Sequence, residues 1–177
     1  MKDGMFRSFF AVACCLLFLV SIIACGSKDH ALSLEKDMGI SIEGTWYPIL
    51  KEASPLLTAL GEDPQITSFP SCVFEGEDRE FRFKNCLVFT NPDGEKDIWY
   101  NILLLDDSLA TARGIRVGDS LEKVKEAYGE KFYWEGETIL VYSISGKQGD
   151  MENPCILFTI EDNLVIEIEI YDPANAT

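Results

Sequence analysis

Two stretches of strict alternation constrain the fold of this chain more than any other feature. Over residues 98–105, Ile98, Tyr100, Ile102 and Leu104 predict one face of a strand, and Trp99, Asn101, Leu103 and Leu105 the other. Over residues 164–171, Leu164, Ile166, Ile168 and Ile170 alternate with Val165, Glu167, Glu169 and Tyr171. A period of two is a strand period, because successive side chains leave a pleated backbone on opposite sides. The second stretch, apolar on one side and largely polar on the other, predicts a half-buried antiparallel strand. Phe81, Phe83, Leu87 and Phe89 alternate in the same way with Arg82, Lys84 and Val88, and the turn signals Asn91-Pro92-Asp93-Gly94 and Glu161-Asp162-Asn163 close hairpins.

Helical signals are fewer. Leu121, Val124 and Tyr128 recur at helical spacing behind Asp119, which is placed to cap a helix with Glu122 three residues on. A first helix near residues 50–60 contains Pro55; it either starts at Ser54 with Pro55 at the first position or is kinked there. The two helical stretches end at Gly61 and Gly129, 68 residues apart, and follow the similar segments Gly39-Ile40-Ser41-Ile42-Glu43-Gly44 and Gly114-Ile115-Arg116-Val117-Gly118-Asp119. An internal repeat of about 70 residues accounts for both matches. The expected class is α+β, a tandem repeat of a helix followed by antiparallel strands, with halves 39–110 and 111–172 and residues 173–177 as a tail. Gly114 and Gly118 bracket Ile115 and Val117, predicting a short buried strand that enters the second helix through a tight turn.

The N-terminus has a separate logic. Lys2 and Arg7 precede an apolar run from Phe9 to Ala24 in which Ser21 is the one polar residue, the layout of a secretory signal. Its 16 residues fall short of the roughly 20 that span a bilayer. The run ends in Ile22-Ile23-Ala24-Cys25, which resembles a lipobox. A small residue before cysteine is where a lipoprotein signal peptidase cuts, once the thiol has accepted a diacylglycerol. The expectation is a signal peptide over residues 1–24, a lipid at Cys25, a polar tether over residues 25–38, and a domain held on the extracytoplasmic face of the cell membrane. An uncleaved anchor or an ordinary secretory signal is the alternative.

Loss of residues 1–24 removes Lys2, Arg7 and Asp3 and leaves 153 residues with 13 basic against 29 acidic side chains, a net charge of −16. Such a surface repels phosphates, so no nucleic-acid partner is expected. Beyond Cys25 the cysteines are Cys72, Cys86 and Cys155, which permit one disulfide at most; Cys72 with Cys86 is the first pair to test against three reduced thiols. No CxxC pair supports a zinc or redox site.

Catalytic signatures are weak. His30, the one histidine, lies on the tether, where a general base is not positioned, so a Ser-His-Asp or Cys-His site is not expected. Neither phosphate-loop nor dinucleotide glycine spacing occurs, and the acidic groups at Glu75, Glu77 and Asp78, at Asp106 and Asp107, and at Glu161 and Asp162 fall at turns without calcium-loop spacing. No cofactor is predicted. A binding face has better support: alternation places Arg82, Lys84 and Trp99 with Glu167, Glu169 and Tyr171 opposite the apolar stripe, and Trp, Tyr and Arg dominate interface hot spots. The expected function is therefore a non-enzymatic protein- or peptide-binding or envelope-assembly module. A surface hydrolase with a carboxylate or metal site is the alternative, and a structural spacer the third reading.

The stretch Ser71-Cys72-Val73-Phe74-Glu75-Gly76-Glu77-Asp78, then Asp106-Asp107-Ser108, Thr111, Gly114-Ile115-Arg116-Val117-Gly118-Asp119-Ser120, Val124 and Tyr128-Gly129 resembles a group of uncharacterised lipoproteins of Gram-positive, largely anaerobic bacteria. The likeness covers about residues 55–171. More distantly it resembles β-lactamase-inhibitor-protein-like domains, and so implies a curved antiparallel sheet packed by helices in tandem. The shared residues are framework residues, and no β-lactamase inhibition follows from them.

Overall fold

A computed structural model describes residues 31–150 and 152–173; the leader, Cys25, His30 and residues 174–177 lie outside the described residues. The described chain begins with a hairpin of β1 (Gly39–Ile42) and β2 (Thr45–Pro48), joined through Glu43 and Gly44. Both turn residues have positive φ, 50° and 82°, the two-residue geometry that matches the twist of the flanking strands. The short β3 (Lys51–Glu52) leads to α1 (Ser54–Leu60), which carries Pro55 in its first turn, where a missing N–H leaves nothing unpaired. Four strands follow: β4 (Gln65–Pro70), β5 (Glu77–Arg82), β6 (Cys86–Asp93) and β7 (Lys96–Leu104). Then come α2 (Leu121–Tyr128) and four more strands, β8 (Tyr133–Glu135), β9 (Ile139–Ser143), β10 (Cys155–Glu161) and β11 (Leu164–Tyr171).

All strands but β1 and β2 form one nine-stranded antiparallel sheet in the order β4-β5-β6-β7-β11-β10-β9-β8, with β3 pairing β7. The fold is thus mainly antiparallel β with two short helices. Both helices and the first hairpin pack on one side of the sheet. Met38, Ile40, Leu56, Ile115, Val124 and Tyr128 join sheet residues there in a single buried cluster. Register explains which sheet residues take part. Cys86, Leu104, Ile168, Phe158 and Leu140 lie opposite one another in one row across five strands, and Val88, Ile102, Ile170, Ile156 and Tyr142 in the next.

The two central strands each contain one extra residue, and this corrects the predicted faces. Phe89 lies opposite Asn101 but Thr90 opposite Trp99, so Tyr100 is unmatched; Thr159 lies opposite Glu167 but Ile160 opposite Val165, so Ile166 is unmatched. A bulge reverses the phase of alternation along its strand. Trp99 therefore shares the helix-covered side with Ile102 and Leu104, and at 1% exposure it is core, not part of an outer face. Likewise Val165 is buried, while Leu164 and Ile166 are exposed. Between β5 and β6 the turn at Lys84 and Asn85 resets the phase, so Phe81 and Phe83 are continued on the core side by Cys86 and Val88, not by Leu87 and Phe89.

Other expectations shift at the edges. The cap of α2 is Ser120, whose hydroxyl accepts from the Lys123 N–H at 3.2 Å; Asp119 instead accepts from the Arg116 N–H and the Lys123 ammonium. Residues 115–117 form no strand, although Ile115 is buried between Gly114 and Gly118, whose φ values are 79° and 89°. Cys72 is exposed in the β4–β5 loop, while Cys86 and Cys155 are buried, and all three are free thiols. Burial, with nearby carboxylates, pushes Cys86 and Cys155 up to about 12.

The tether ends earlier than expected, because residues 32–38 belong to the fold. Leu32 packs against the core, Met38 is fully buried, and Asp37 is 5% exposed. Arg113 secures this segment: its guanidinium donates to both Asp37 carboxylate oxygens at 2.8 and 2.9 Å and to the carbonyls of Ala31 and Ala127, and lies 4.8 Å over the Tyr128 ring. Burial alone would raise the Asp37 carboxyl. The Arg113 and Ser33 hydrogen bonds, with the charges of Arg113 and Lys36, outweigh it and hold the group below its ordinary 3.8. A carboxyl depressed in the folded state contributes stability above its unfolded pKa and loses it as pH falls through the folded value. Arg113→Ala should cost about 3 kcal/mol or more at pH 7 by urea denaturation, since it strands a buried carboxylate, and less as pH falls through the folded pKa of Asp37. Trp99→Ala should cost about 3–5 kcal/mol in the same assay, against about 1 kcal/mol or less for Ile166→Ala.

Candidate functional site

The other side of the sheet is the candidate site, and register sets its layout. One row runs Arg82, Leu87, Leu103, Glu169, Leu157, Val141, Tyr133; the adjacent row runs Glu80, Phe89, Asn101, Tyr171, Cys155, Ser143. Neither row contributes to the helix-covered cluster: Leu87, Val141 and Cys155 are buried yet stand outside it. The described helices pack on the opposite side, so this face is a half-buried aliphatic and aromatic surface made by the sheet itself.

Glu169 occupies its middle. Its cross-strand neighbours are Leu103 and Leu157, and one carboxylate oxygen accepts from Asn101 Nδ2 at 2.6 Å. Burial pushes the carboxyl above its ordinary 4.5; the Asn101 hydrogen bond opposes this, and the charges of Glu167 and Glu135 reinforce it. Among the described residues Glu169 enters no ion pair. Asn101 is 8% exposed, and its Oδ1 is buried with no hydrogen-bond partner. Around this pair the Tyr100 hydroxyl is raised by burial and by Asp78 and Glu169, and that of Tyr171 by burial and then by Glu169 and Tyr100. Every electrostatic influence on Glu169 from a neighbouring charge is repulsive. The centre of the face holds a carboxylate that no described cation compensates and an amide oxygen that accepts no hydrogen bond.

The residues singled out from sequence separate accordingly. Glu167, Glu169 and Tyr171 lie on this face, where Glu167 is opposite Thr159. Arg82 stands in the same row as Glu169, toward the β4 edge, with its guanidinium 2.9 Å from Glu80. Lys84 lies in the β5–β6 turn beside a groove of about 480 Å³ shared with Leu60, Asp63 and Asp106, away from the centre. Trp99 belongs to the core, for the reason given above. Asn101, Leu103 and Leu157 are the additions. Leu157 sits in the unbroken apolar run Cys155-Ile156-Leu157-Phe158 and Leu103 in Ile102-Leu103-Leu104-Leu105, the pattern of strands covered on both sides, and the alternation of residues 98–105 already sets Asn101 and Leu103 on one face.

Chemically, this geometry can receive a hydrogen-bond donor or a cation flanked by apolar surface. Among the described residues, no three His, Cys, Asp or Glu side chains are grouped to hold a metal ion, and no helix is long and apolar enough to cross a membrane. No protein-family model matches the chain, and neither a curated protein nor a solved structure does.

The position of Glu169 predicts a pH-dependent stability. A carboxyl whose folded pKa is raised destabilises the fold as pH climbs through and beyond the carboxylate range. Glu169→Gln should therefore melt at a higher temperature than the unaltered protein at pH 7, with the difference vanishing near pH 4. A lower melting temperature at pH 7 would show that the charge is compensated within the fold.

Proposed function

We propose that this chain is a membrane-anchored lipoprotein, tethered through Cys25 on the extracytoplasmic side, that binds a protein or peptide partner without catalysing a reaction. The observation that carries the reading is the half-buried face around Glu169, where aliphatic and aromatic side chains surround an uncompensated carboxylate and an unpaired amide oxygen. A buried polar group without a partner is costly within one molecule, and a donor brought by a partner can relieve that cost. The lipobox-like end of the apolar leader supports the anchor, and the acidic mature chain supports a partner other than nucleic acid.

We take the halves to be tandem repeats, as the likeness to β-lactamase-inhibitor-protein-like domains implies. In support, α1 precedes β4 to β7, α2 precedes β8 to β11, and the sheet order is mirrored about the pair of last strands, β7 and β11.

The test places a photo-crosslinking amino acid in the full-length protein at Leu157 or Tyr171, with Glu126 on the exposed side of α2 as control. A discrete adduct from 157 and 171 but not from 126 supports the reading; equal or no adducts reject it. Cys25→Ala should in parallel move the protein out of the lipid-modified membrane fraction, and an unchanged distribution would reject the anchor.

A further inference from the structure

We propose that the partner inserts an arginine side chain into this face, its guanidinium bridging the Glu169 carboxylate and Asn101 Oδ1. The proposal rests on the reading of the face as a binding surface and names what that surface selects.

Two acceptors meet at this point and lack donors. The Glu169 carboxylate receives one hydrogen bond, from Asn101 Nδ2 at 2.6 Å, and Oδ1 of the same amide has no partner while its residue is more than nine-tenths buried. The basic residue in the same row, Arg82, is engaged with Glu80 and stands three strands away, about 14 Å, too far to serve. Among the described residues no cation compensates Glu169, which leaves its carboxylate open to one supplied by a partner. A metal ion fits poorly, because one carboxylate and one amide oxygen do not make a ligand set, and no third ligand group joins them among the described residues.

The surroundings distinguish guanidinium from ammonium. A lysine head group is a compact, strongly hydrated point charge, whereas guanidinium is planar, less hydrated, and carries five donors in a fixed fork able to reach two adjacent acceptors. Tyr171 lies directly across from Asn101 and supplies an aromatic ring, while Leu103 and Leu157 flank Glu169 and match the apolar stem. Because Oδ1 is closed to solvent in the free protein, neighbouring side chains shift to admit the donor. The mature chain, with a net charge of −16, attracts such a basic partner over long range.

The test selects peptides from a random displayed library on the full-length protein held in nanodiscs of neutral lipid. Selected peptides that protect Leu157 and Tyr171 should share an arginine, lose at least about tenfold in affinity when it becomes lysine or citrulline, and lose as much against Glu169→Gln. That variant is expected to fold at least as stably, so weaker binding would not reflect unfolding. In the unaltered protein, saturation with such a peptide should shift the titration of the carbon-13-labelled Glu169 carboxyl downward. Peptides that cover the face yet carry no arginine, or tolerate lysine or citrulline, overturn the guanidinium and leave the binding face standing. A selection yielding no peptide on this face overturns both.

Discussion

The structure depends on the pairing of β7 with β11. Four residue pairs join the strand set β4 to β7 to the set β8 to β11. On the helix-covered side the pairs are Leu104 with Ile168 and Ile102 with Ile170, all fully buried. Ladder hydrogen bonds contribute about 1 kcal/mol each net of water, whereas complete burial of such a side chain contributes about 1.5–3 kcal/mol, so the seam is held mainly by its apolar pairs. Along the same edge, β7 changes partner. The Leu50 N–H donates to the Trp99 carbonyl, and the Asp172 N–H donates to the Tyr100 carbonyl, both at 2.9 Å. The bulge at Tyr100 lies at this changeover, which lets one strand serve β3 at its start and β11 at its end while Trp99 still points into the core.

The other side of the same seam carries Leu103 with Glu169 and Asn101 with Tyr171. Stability alone would favour an aliphatic residue in place of Glu169, given its leucine neighbours on both sides. Instead the sheet keeps a carboxylate there and leaves half of an amide unsatisfied beside it. By contrast, Arg113 meets the buried Asp37 with two donated bonds, gives two more to the carbonyls of Ala31 and Ala127, and lies over the Tyr128 ring. The contrast between a compensated pair on the core side and an uncompensated group on the other is the physical basis of the proposed recognition at that face.

Much of the architecture was legible in the residues. The hairpin turn at Asp162 and Asn163 adopts positive φ at both positions, the helix face of Val124 and Tyr128 is buried, and α1 begins at Ser54 with Pro55 in its first turn. The phase of the strands was not legible, because a bulge is a property of the pairing of two strands and leaves no trace in the alternation of one. Trp99 and Val165 therefore changed sides, and the candidate face lost its tryptophan. The polar segment before β1 has no periodicity, yet it is held by Arg113, more than seventy positions downstream. Asn101 and Glu169 are 68 residues apart, and nothing local connects an asparagine in one strand with a glutamate in another. Glu169 itself was placed on the correct face, since the run from Glu167 to Tyr171 lies beyond the β11 bulge and keeps one phase.

The most direct test of a face made for a partner is hydroxyl-radical footprinting of the protein in intact cell envelopes against the purified full-length protein. Leu103, Leu157 and Tyr171 should be oxidised more slowly in the envelope, while Leu121 and Ile166 should react at equal rates in both. Equal rates at Leu103, Leu157 and Tyr171 would mean that the face is unoccupied where the protein works, and would contradict the assignment.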